Sequence, residues 1–76
     1  MSKRHRIFSG AGIISVLAKH FDFSVVSQKG SHVKLKHVDG RVTIVPLHKE
    51  LAPGTLASVL RLARIDRSDF LDAFDL

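Results

Sequence analysis

The sequence predicts an α+β domain, a three-stranded antiparallel sheet with helices on one face, in the order α-β-β-β-α with a short last helix. Three observations predict it. An apolar stripe at helical spacing precedes residue 22. Three runs rich in β-formers lie between Phe23 and Pro46, separated by glycine turns. A second helical stripe follows Pro53. With 76 residues the chain is long enough for one domain, expected to span 1–76.

Residues 1–8, with Lys3, Arg4, His5 and Arg6, read as a basic N-terminal arm. Ser9 is suited to cap a helix reaching about His20, with Ile13, Ile14, Leu17 and Phe21 on one face. Asp22 stands where that helix should stop, and Asp tolerates the left-handed conformation better than most residues. Phe23 to Gln28 is the first strand, and Lys29-Gly30 marks a tight turn. Ser31 to His37 is the second strand, Asp39-Gly40 a two-residue hairpin turn of type I′, and Arg41 to Pro46 the third strand.

That turn sets an expected register. Leu35 faces Ile44 and Val33 faces Pro46, so Val33, Leu35, Val42 and Ile44 point toward the helices. On the other face Lys34 meets Val45 and His32 meets Leu47, leaving Val45 and Leu47 exposed beside His32, Lys34 and Lys36. Pro53 suits a first helical position, and Leu56, Val59, Leu60 and Ala63 should face inward. Asp66 opens the last helix, which Phe70, Leu71 and Phe74 pack down.

Charge narrows the partner. Eleven of the twelve Lys and Arg residues lie before Ile65 against three of the seven acids, a balance of +8, and the rest of the chain carries −3. A concentrated positive surface attracts phosphate backbones. The chain has no cysteine, so it has neither a disulfide nor a thiolate metal site. The start is too short and too broken by glycine for a secretory leader, and no apolar run approaches the roughly 20 residues of a membrane span. The expectation is a soluble cytoplasmic domain with no membrane association.

The candidate chemistry sits on the helix-free face. Cleavage of RNA without a metal needs a base for the ribose 2′-OH, an acid for the leaving 5′ oxygen and cations for the charged transition state. Histidine ordinarily titrates near neutrality and can serve as either acid or base. His32 occupies that face, with Lys34 and Lys36 on it to neutralise phosphate oxygens. Lys29 and Gly30 at the turn, where a nucleic-acid backbone can come close, and His48 after the third strand complete the expected RNA-binding set. His37 reads as a half-buried structural residue. No HxxxH pair or Cys/His cluster is present, so no metal or other cofactor is expected.

These residues carry a resemblance. Gly30-Ser31-His32-Val33-Lys34-Leu35, Asp39-Gly40-Arg41, Val45-Pro46, His48-Lys49-Glu50-Leu51, Pro53-Gly54-Thr55-Leu56 and Ile65-Asp66-Arg67-Ser68-Asp69-Phe70 resemble the HicA (YcfA-like) toxin family in order and spacing. The resemblance runs from Ser9 to about Phe74. It implies a double-stranded-RNA-binding-domain-like fold, mRNA interferase activity, a HicB-like antitoxin partner and His32 as the catalytic residue. The chain departs from the family's usual pattern at Gly10-Ala11-Gly12, Asp22 and Ser27. Two other readings stand beside the nuclease: a non-catalytic RNA-binding module on the same face, and a protein that only docks a partner.

Overall fold

The computed structural model describes residues 7–76, so most of the expected basic arm (residues 1–6) lies outside the described residues. The elements run α1 (Gly10–His20), β1 (Phe23–Lys29), β2 (His32–His37), β3 (Val42–Pro46), α2 (Pro53–Ala63) and α3 (Arg67–Phe74). The three strands form one antiparallel sheet in the order β1-β2-β3. This is the α+β arrangement that the helix and strand patterns imply, and it is consistent with the double-stranded-RNA-binding-domain-like fold that the resemblance implies.

Local chemistry accounts for the boundaries. The Ser9 hydroxyl accepts a hydrogen bond from the Gly12 N–H at 2.9 Å, satisfying one of the free donors of the first turn of α1. The helix ends before Asp22, which takes φ 61 and so reverses the chain into β1. Pro53 opens α2. At its other end Arg64 adopts φ 58, and the Ile65 N–H reaches back to the Leu60 carbonyl at 3.0 Å.

The core lies between the inner face of the sheet and the helices. Ile13 and Leu17 from α1 meet Val33, Leu35 and Val45 from the sheet and Leu56, Val59, Leu60 and Ala63 from α2, all buried. Phe8, assigned to the arm by sequence, is instead part of the core. Its ring lies 4.8 Å from Phe74 and 5.7 Å from Phe70, centroid to centroid, and its carbonyl accepts from the Leu51 N–H at 2.8 Å. Aromatic pairs at such separations add to what area burial alone contributes.

The β2–β3 register differs from the expected one by a single residue. His32 pairs with Pro46, Val33 with Val45, Lys34 with Ile44 and Leu35 with Thr43. The cause is the turn. A type I′ turn needs positive φ at both central residues, but only Gly40 has it, at φ 100. The connection is therefore a three-residue loop, Val38-Asp39-Gly40, closed by the Gly40 N–H on the His37 carbonyl at 2.9 Å and the His37 N–H on the Arg41 carbonyl at 2.8 Å. Side chains hold this form. The Asp39 N–H donates to His37 Nδ1, and the Asp39 carboxylate accepts from the backbone N–H and Nε of Arg41.

The shift turns β3 over. Thr43 and Val45 are fully buried, and Ile44, expected inside, is 45% exposed. A buried hydroxyl needs a partner, and Thr43 Oγ1 donates to the Val59 carbonyl of α2 at 2.8 Å. Arg41 makes a second tie: its guanidinium donates to the Ala63 carbonyl at 2.6 Å while lying over the Phe23 ring. A charged donor at the end of α2 also favours the helix dipole.

Two expectations follow. A Cβ on Gly10 would fall inside the Pro46 carbonyl, where α1 abuts the end of β3. Gly10→Ala should lower stability by about 1–3 kcal/mol, read from urea unfolding midpoints. Asp39 should titrate below the ordinary 3.8, chiefly because the Arg41 backbone N–H bonds its ionised form. The carboxylate lock is thus complete above 3.8 and lost as pH falls through the lowered value, observable by NMR titration of Asp39 against the Arg41 amide shift.

Candidate RNA-facing site on the open sheet surface

Strand β2 presents His32, Lys34 and Lys36 on the side away from the core, all exposed, while Val33 and Leu35 between them are buried. Alternation along a strand produces this division, and it holds despite the changed register because β2 keeps its own parity. His37, at the inner end of the strand, is half-buried against the Phe23 ring at 5.2 Å, as its inward position requires.

Strand β1 supplies the second side. Val25 lies opposite Leu35, but Ser27 lies opposite Lys34 and Lys29 opposite His32. One extra residue, Val26, therefore bulges out of the ladder. Were Val26 paired in the ladder, opposite Lys34, Ser27 would fall opposite Val33, on the core side. The bulge instead brings Ser27 and Lys29 to the outer face beside His32 and Lys34. The β1–β2 connection is the two-residue turn Gly30-Ser31, with Gly30 at φ 58 and open space above it. The turn is thus one residue further along than the expected Lys29-Gly30.

Strand β3 supplies the third side. Ile44, across from Lys34, faces outward. Ser27, Lys29, His32, Lys34 and Ile44 together line a shallow hollow of about 290 Å³. Among the described residues the Ser27 hydroxyl, both lysines and His32 make no hydrogen bond or ion pair to the protein, so their polar ends are available to a ligand.

The structure gathers part of the expected set. Lys29, His32 and Lys34 converge on the hollow, with Gly30 in the adjoining turn and Lys36 further along the same face of β2. His48 does not line the hollow; it is exposed, and its backbone carbonyl accepts from the Gly10 N–H at 2.9 Å. His32 meets Pro46 rather than Leu47, and Val45 is buried rather than exposed, so the apolar side chain that β3 exposes on this face is Ile44; Leu47 lies past the end of the strand. Ser27 and Ile44 were not anticipated as site residues. The missing signal was strand irregularity, which an alternating pattern conceals.

Among the described residues no group of three or more His, Asp or Glu side chains is arranged to hold a metal ion. No helix among them is long and apolar enough to cross a membrane. The fold and this basic surface define a small α+β domain of the double-stranded-RNA-binding-domain-like class. A family model described as the HicA toxin of bacterial toxin–antitoxin systems matches residues 10–65, and the chain belongs to that family. Comparison with curated proteins gives no match.

Proposed function

We propose that the chain is an mRNA-cleaving endoribonuclease, acting through His32 without a metal and silenced by a HicB-like antitoxin. It works as one domain in the cytoplasm. The observation that carries this reading is the exposed His32 beside Lys29 and Lys34 on the rim of one hollow. His32 takes the proton of a ribose 2′-OH. The freed 2′ oxygen attacks the adjacent phosphorus, and the bond from phosphorus to the 5′ oxygen breaks. The departing oxygen takes up a proton from water, leaving a 2′,3′-cyclic phosphate and a 5′-OH end, and His32 returns its proton to solvent. Lys29 and Lys34 hold the non-bridging oxygens as charge develops on them, and Lys36 meets a neighbouring phosphate.

The antitoxin covers the same face. An acidic surface satisfies Lys34 and Lys36, while its apolar residues meet Ile44. Direct occlusion of His32 follows from the overlap of the two footprints.

His32→Ala should lower RNA cleavage at least about 100-fold, the lower bound typical of lost general acid–base catalysis, with an unchanged circular dichroism spectrum. Wild-type cleavage should persist in excess EDTA. A wild-type protein that binds RNA but never cuts it would instead support the binding-module reading. Lys34→Ala should make the log–log dependence of RNA affinity on salt shallower by about 0.7, the share of one phosphate on a single strand, measured by fluorescence anisotropy across a salt series.

A further inference from the structure

Two irregularities of the sheet converge on one place. The bulge at Val26 turns Ser27 and Lys29 outward, and the three-residue loop after His37 turns Ile44 outward. Regular pairing would have left the hollow without Ser27, Lys29 and Ile44. Bulges recur next to functional sites because they re-aim side chains.

The composition of the hollow says what fits it. Its surface is largely carbon, with Ile44 on one side and Ser27 on the other across β2, and its volume of about 290 Å³ falls at the small end of ligand pockets. A strand or helix of another protein is too large for it. A phosphate would gain nothing from Ile44. A flat, mostly apolar ring with polar edges suits it: the ring lies on Ile44 and an edge atom reaches the Ser27 hydroxyl. Single-stranded RNA is recognised in this manner, by bases turned out of the stack and bonded along their edges.

We propose that the hollow is a nucleobase subsite, and that Ser27 reads the edge of the base next to the phosphate held by Lys29 and Lys34. This rests on the RNA-cleaving reading above and adds the source of sequence preference. Ser27 discriminates by hydrogen bonding, Ile44 by contact with the ring, and the lysines contribute no base information.

The test uses the full chain and short 2′-O-methyl RNAs, which cannot be cut, each carrying one abasic nucleotide at a successive position. One position should stand out, where loss of the base weakens binding most. At that position Ser27→Ala should reduce discrimination among the four bases by about three- to tenfold, the worth of one hydrogen bond. Ile44→Ser should remove the abasic penalty. Neither variant should change the salt slope, since neither alters charge.

A flat abasic scan, or a position dependence that survives both variants, overturns the subsite. So does an effect of both variants on antitoxin binding with none on RNA, which would make the hollow a protein-docking feature. Mapping cuts on natural RNA separates the two readings. A protein that never cuts RNA but keeps the abasic pattern loses the nuclease reading and retains the subsite. One that cuts normally with a flat scan loses the subsite alone.

Discussion

Side chains on a strand alternate between faces, so each residue of offset in a sheet moves a whole set of side chains from one environment to the other. What stands beside His32 and Lys34 on the outer face depends on where those offsets fall. Strand β2 carries no irregularity and divides cleanly into a buried apolar face and an exposed basic one. Its two neighbours each depart from simple pairing by one residue, β1 through its bulge and β3 through its longer turn. The outer surface at His32 is therefore assembled from three strands, each contributing the residues its own offset turns outward.

That surface is rigidly mounted. Thr43 and Arg41 bond to carbonyls of α2 at Val59 and Ala63, pinning one end of β3 to the helix that covers its inner face. At the other end α1 presses against the Pro46 carbonyl, the residue that pairs with His32. A surface built on strands fixed at both ends has little freedom to rearrange, and His32 is held by a strand rather than by a loop.

Much of this was legible in the residues. The helix cap at Ser9, the reversal at Asp22, the proline start of α2 and the alternation of β2 are local chemistry, and each appears where its residues put it. The expected register of β3 is off by one residue, yet His32, Lys34 and Lys36 stand on the open face as expected, because the alternation of β2 puts them there whatever the partner's register. The register of β3 was not legible for two reasons. Asp39-Gly40 matches a two-residue turn, but hydrogen bonds among His37, Asp39 and Arg41 favour a longer one. Thr43 is polar, so an alternating reading of Val42-Thr43-Ile44-Val45 sends it to solvent. Only the acceptor offered by Val59 makes its burial tolerable, and that acceptor lies sixteen residues away in sequence. The bulge at Val26 was hidden likewise, because Val25-Val26 reads as ordinary strand whichever residue is extra. Phe8 escaped because its partners, Phe70 and Phe74, lie at the far end of the chain.

The bulge has a consequence for how copies of the molecule behave together. Strand β1 is an edge of the sheet, and its half-exposed Val25 and Val26 stand beside backbone groups with no neighbouring strand. A long, flat edge of that composition is a template on which identical chains stack into aggregates. The extra residue breaks the regular spacing of donors and acceptors and increases local twist, so an incoming strand cannot continue the ladder past it. Deleting Val26 would leave Ser27 opposite Lys34 and Lys29 opposite His32 but straighten β1 into a regular edge, the form on which further strands pair.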